Sequence, residues 1–194
     1  MPSFPTRHAQ AQRNRDTILA AARAAFAEHD AEVSMAEISR RAGVGMATLY
    51  RNFPGRRELL EALYIDEVNA ICEAAQTVDG DTPGERLEAW LQRFFTFFNS
   101  KHHVAELLTH SDDDAAPFLH TNRDRVLGVA RPLLLAAQHT HEIRTDLTLE
   151  QILQMIVAIA TIHSDPTYVE PILQTALDGL RSTPRASGTT TGRR

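Results

Sequence analysis

Apolar residues recur at helical spacing along almost the whole chain, and no run alternates with the period of a strand. The first stripe, Ile18, Ala22, Ala25 and Phe26, predicts a helix from about Gln12 to His29. After a polar gap, Ser34 stands where an N-cap is needed, and Glu37 three residues on has capping-box spacing. Ile38 and Ala42 then share one face of a short helix. Gly43 can end it in the left-handed conformation, which costs a residue without Cβ nothing. Val44 is placed to plug the gap before a second short helix that ends at Phe53. Pro54-Gly55 breaks the chain, and Leu59, Leu60, Leu63, Tyr64, Val68, Ile71 and Cys72 then mark a long helix from about Arg56 to Ala75.

The polar run from Asp79 to Gly84 is the clearest internal boundary. Thr82 caps and Pro83 suits the first helical position of a helix to about Ser100, rich in Trp90, Phe94, Phe95, Phe97 and Phe98. A shorter helix is expected from His103 to His110, then a loop at Ser111 to Asp114. A helix from Pro117 to His139 should bend or break near Gly128 and Pro132. Thr148 caps a strongly apolar helix to about His163, and Pro166 opens a last one to about Arg181. The sum is an all-α chain of about nine helices. Residues 1–11 are expected to be a disordered arm and 183–194 a disordered tail, both too polar to pack. The expected domains are 12–75, with the helix-turn-helix at 34–53, and 76–182.

An apolar fraction of 43% with 23% charged residues puts the chain among globular proteins and away from disordered ones. No stretch has the ~18 uncharged apolar residues of a membrane span. The first fifteen residues have no apolar core, so they are not a secretory signal. A single cysteine, Cys72, excludes an internal disulfide, in keeping with a cytoplasmic location. The net charge of −5 hides a division: residues 1–57 hold nine arginines against five acids, while 58–194 hold eleven basic and twenty acidic residues. Polyanion binding depends on local charge, because a Debye length is only ~8 Å at physiological salt. A basic head on an acidic body suits a DNA reader whose other half stays off the DNA.

Helix, glycine turn and helix from Ser34 to Asn52 is the plan of a DNA-reading helix-turn-helix. Ile18, Leu19, Ala22 and Phe26, then Ile38, Ala42-Gly43-Val44, Thr48-Leu49-Tyr50, Phe53 and Glu58-Leu59-Leu60 make the resemblance specific. Over this first third the chain resembles the tetracycline-repressor (TetR) family of transcriptional regulators. Three positions depart from the family habit: Gly45 in place of Ser or Thr, Asn52 in place of His, and Asp30 near a usual Gly.

The resemblance implies that Thr48, Tyr50 and Asn52 meet phosphates, with Tyr50 also able to touch a base. Gly45, Met46, Ala47 and Arg51 lie nearest base edges. Arg51 can pair bidentately with a guanine or contact only a phosphate. Ser34 and Met35 begin a helix whose free N–H groups attract a phosphate. Arg40 and Arg41 add positive charge, unless Arg40 pairs with Glu37, and Arg56 and Arg57 are further phosphate candidates. A homodimer is implied, setting two such heads in successive major grooves of a palindromic operator. Its candidate interface is Leu149, Ile152, Ile156 and Ile159 with Tyr168, Ile172, Leu173, Ala176, Leu177 and Leu180, although an intramolecular core would show the same pattern.

A small-molecule effector is also implied. Trp90, Phe94, Phe97, Phe98, Phe118, Leu127 and Met155 are candidate pocket walls, and His102, His110, His120, Arg123 and Arg131 candidate polar contacts. For any single aromatic residue an ordinary core is the simpler account. No catalytic constellation, phosphate loop, cofactor motif or metal-ligand spacing is present, which leaves two classes open: a DNA-binding regulator, or an all-helical small-molecule binding and dimerisation module that does not read DNA.

Overall fold

A computed structural model describes the backbone of residues 7–27, 33–111 and 115–182, and the side chains of 9–26, 33–98, 104–109 and 115–182. It is all-α, with eight helices among the described residues: α1 Arg7–Ala27, α2 Met35–Ala42, α3 Met46–Asn52, α4 Arg56–Thr77, α5 Pro83–Ser111, α6 Ala115–His139, α7 Leu149–Ala160 and α8 Pro166–Asp178. Asp30, Asp112 to Asp114, residues 1–6 and the tail from 183 lie outside them.

Three elements differ from expectation. Helix α1 begins at Arg7, so residues 7–11 belong to a helix and not to an arm. Arg, Ala and Gln are good helix formers, and Gln10 pairs with Asn14 (3.0 Å) and Arg13 with Gln10 (3.0 Å) along the surface. The segments 83–100 and 103–110 run as one helix, α5. Asn99, Ser100 and Lys101 are polar, yet no Gly or Pro stands there to stop a helix. Helix α6 continues through Pro132. The proline lacks the N–H that would reach the Gly128 carbonyl, a local loss that does not end a helix of 25 residues.

The chain forms two compact units. The first, residues up to 73 and 96–126, has its core around Ile18, Ala22, Phe26, Ile38, Leu49, Phe53, Leu60 and Leu63, with Val104, Leu108 and Ala115. Side chains from α1, α2, α3 and α4 meet there, which fixes the helix-turn-helix on a solid base. Buried Asn122 donates to the Phe118 carbonyl (2.9 Å) and accepts from Arg125 (3.1 Å), whose other arm reaches Asn69 (2.6 Å).

The second unit, 74–95 and from 127 on, buries Leu87, Trp90, Leu91, Leu134, Leu149, Ile152, Ile156 and Leu177. Thr82 and Glu85 form the capping exchange at the start of α5, and Thr148 and Gln151 the one at α7. Glu142 reaches the Gly84 N–H (3.1 Å), so a loop carboxylate also serves the first turn of α5. Its hydrogen bonds, first from Thr140, hold it below the usual carboxylate range.

Candidate nucleic-acid interface

The site begins with a cap. Ser34 is extended (φ −85°, ψ 158°) and its Oγ accepts the Glu37 N–H at 3.2 Å. The Glu37 carboxylate does not turn back to close a capping box. It takes Arg40 through two hydrogen bonds (2.8 and 2.7 Å) and Arg41 through one (2.7 Å). Those bonds, Arg40's first, hold the carboxyl down to about 2. Arg40 therefore pairs with Glu37 as its spacing allowed.

Gly43 ends α2 at φ 64°, in the left-handed region, and its N–H returns to the Arg40 carbonyl at 3.2 Å. The turn has a second fastening. Ser39, only 4% exposed, donates its hydroxyl to the Val44 carbonyl at 2.6 Å, and the Val44 N–H returns to the Ser39 carbonyl at 3.2 Å. Gly45 is the N-cap of α3 (φ −71°, ψ 149°), and its carbonyl accepts the Thr48 N–H at 2.8 Å. Lacking a side chain, it makes no side-chain cap.

Leu49 (0% exposed) and Phe53 (1%) pin α3 into the core. The opposite face is open: Met46 (38% exposed) and Tyr50 (46%) stand out with Ala47 and Arg51. Arg51 lies along its own helix, donating to the Ala47 carbonyl (3.1 Å) and Thr48 Oγ (3.0 Å). Both contacts are at the surface, where water or a phosphate can replace them. Half-buried Asn52 donates to the Thr48 carbonyl at 2.8 Å, so its amide is engaged within α3. The Met35 side chain packs partly against the core, while the phosphate expected at the start of α2 would be met by backbone N–H groups.

The arginines are less available than a count along the chain implies. Arg23 pairs with Glu67 (2.8 Å) and Arg57 with Glu61 (2.9 Å), acids that lie beyond residue 57. Arg15 lies over the Phe53 ring, 4.6 Å from its centroid. Arg56 lies over the Phe26 ring at 5.2 Å and donates to the Val33 carbonyl. Burial pushes the Arg56 guanidinium below its usual pKa. Arg56, expected as a phosphate candidate, is half-buried and makes these two contacts on its inner side. The clamps at Arg15 and Arg56 were invisible in the sequence because the partners are far apart along it. Asn122 did leave a signal: it lies four residues from both Phe118 and Val126, on an apolar face.

Several candidates in the second unit are core residues. Leu149, Ile152, Ile156, Ile159, Leu173, Leu177 and Leu180 are buried within one protomer, none more than 8% exposed. They fill the chain's own interior and have no area left for a partner, contrary to the interface expected of them. Tyr168 is 62% exposed, and Ile172 and Ala176, four and eight residues on, are half-buried, leaving one open stripe on α8. Trp90 stacks on Phe94 (centroids 5.5 Å, 18°), both buried, while Leu127 and Met155 are half-buried. Arg131 pairs with Glu150 at 2.8 Å. Phe97, Phe98, Phe118 and Arg123 belong to the first unit, where Phe118 meets Tyr64 (5.7 Å between centroids). The side chains of His102 and His110 lie outside the described residues. Among the described residues no three His, Cys, Asp or Glu side chains are grouped for a metal, and no helix is long and apolar enough to cross a membrane.

Two family models match. Residues 18–63 fit "Bacterial regulatory proteins, tetR family", and residues 82–182 fit "Transcriptional regulator SbtR-like, C-terminal domain". A TetR transcriptional regulator from Streptomyces coelicolor is 34% identical with a TM-score of 0.72, over 88% of this chain and 99% of that one. A TetR regulatory protein from Mycobacterium vanbaalenii is 30% identical with the same TM-score of 0.72, over 90% and 98%. The ketosteroid transcriptional regulator of Mycobacterium tuberculosis shares the fold at 18% identity and TM-score 0.61, over 88% and 95%. No curated protein matches the chain.

Proposed function

The chain belongs to the TetR family of bacterial regulatory proteins, and on that premise we propose that it is a homodimeric repressor, released from a palindromic operator by a small molecule. As a family member it is a DNA-binding transcriptional regulator with a ligand-binding carboxy-terminal domain. The operator, the dimer contact and the effector are the proposed parts, together with a cytoplasmic location beside the DNA.

The observation that carries the reading is the two-sided character of α3. Leu49 and Phe53 anchor one side in the core, and Met46, Ala47, Tyr50 and Arg51 present the other to solvent. A rigidly held helix whose open face carries the hydrogen-bonding side chains of Tyr50 and Arg51 fits a major groove about 12 Å wide. One such helix covers too little DNA for tight binding, so a symmetric pair is needed, with half-sites about 34–36 Å apart. The stripe Tyr168, Ile172 and Ala176 is the surface we assign to that pairing. A small molecule releases the operator only if it binds one dimer state better than the other.

Selection of bound duplexes from a random pool tests the proposal. An enriched inverted repeat, with half-sites one helical turn apart, is expected. Retention of duplex without any enriched sequence would instead favour a helical binding module that has lost DNA reading.

A further inference from the structure

We propose that Arg56 is a positioning residue for DNA reading, fixing the entry of α2 from the first turn of α4 without itself holding a phosphate. The inference rests on the DNA-reading function above. Three elements meet at this one guanidinium. It belongs to the first residue of α4, it lies over the ring of Phe26 near the end of α1, and its Nη1 donates to the carbonyl of Val33 just before α2. Phe26 and Val33 are each only 4% exposed, so the contact faces the core. The guanidinium fork is planar and rigid, and a fork committed to a ring face and a carbonyl is turned away from a phosphate outside.

The target of the clamp gives it a consequence. Val33 precedes Ser34, whose hydroxyl caps α2, and α2 is tied by the Ser39–Val44 hydrogen bond to the turn that leads into α3. Displacing Val33 therefore moves the cap, and the cap moves the helix that sets α3. Any shift of the start of α4 is passed to α2 through the same group. The stem of a lysine reaches Phe26, but a single ammonium cannot cover the ring with a flat face while it donates to the carbonyl.

The test uses the full-length protein and a duplex that the wild type selects. Arg56→Lys, Arg56→Met and Phe26→Leu are compared at a temperature where circular dichroism shows each fully folded. The expected result is operator binding weakened about tenfold or more in all three. The slope of log affinity on log salt should stay at the wild-type value, and the amides of Glu37 and Ile38 should exchange faster. A phosphate contact predicts otherwise: Lys restores affinity, Phe26→Leu leaves it alone, and Met lowers the slope by about one. That outcome overturns the proposal, as does wild-type affinity accompanied only by a lower melting temperature. Phe26→Leu decides the matter even if both Arg56 variants fail to fold. If the wild type selects no duplex, the DNA-reading function falls first and this inference with it.

Discussion

Two glycines in the same turn, Gly43 and Gly45, should respond oppositely to the addition of a side chain. At both, a new Cβ meets nothing within 4 Å, so steric contact does not distinguish them. Their backbones do. Gly43 sits at φ 64°, where an L-residue costs ~1–2 kcal/mol. Gly45 sits at φ −71°, which any residue adopts, in the N-cap position of α3. Gly43→Ala should therefore destabilise the protein by ~1–2 kcal/mol, and Gly43→Asn by less, because asparagine tolerates the left-handed conformation. Gly45→Ser should stabilise by a few tenths of a kcal/mol, since its hydroxyl can accept a free N–H of α3. Urea unfolding followed at 222 nm, at one fixed protein concentration, gives the comparison. Equal midpoints for Gly43→Ala and Gly45→Ser would refute the argument from backbone geometry.

Two other outcomes follow from the surface. Glu37 is held at about 2 against an ordinary 4.5, so its stabilising effect is complete above 4.5 and fades as pH falls through about 2. The stability difference between wild type and Glu37→Gln should thus shrink on acidification across that window, and less so in high salt; urea midpoints above and within the window check it, and a constant difference would show that the Arg40–Glu37–Arg41 pairing adds nothing. Tyr168→Glu puts a carboxylate on the open stripe of α8, where it should leave the protomer folded but separate a dimer; sedimentation should show monomer, and an intact dimer would place the partner contact elsewhere.

What could be read beforehand was mostly local. Ser34, Gly43, Thr148 and Pro166 mark helix ends through groups within four residues, and each acts as its chemistry indicates. Tyr50 and Arg51 as outward residues came from the family resemblance of the Thr48-Leu49-Tyr50 run, and the fold adds that Leu49 lies buried beneath them. The clamp at Arg56 was not legible, because nothing near it in sequence says that Val33, 23 residues earlier, lies beneath it. The apolar surround of α7 misled in the same manner. Leu149, Ile152 and Ile156 look alike whether covered by their own chain or by a partner, and only the fold assigns the cover.

The measurement closest to the central claim is a repeat of the duplex selection with Arg51→Ala, which changes the open face of α3 and leaves its buried face alone. If that face reads bases, the variant should enrich the same inverted repeat with preference relaxed at one symmetric position in each half-site, and with little change in salt slope, a guanine pairing being worth ~1–3 kcal/mol. Enrichment identical to wild type at every position would contradict base reading by Arg51. Unchanged preference with affinity lowered alike for all sequences, and a salt slope reduced by about one, would mean that it serves only as a phosphate contact.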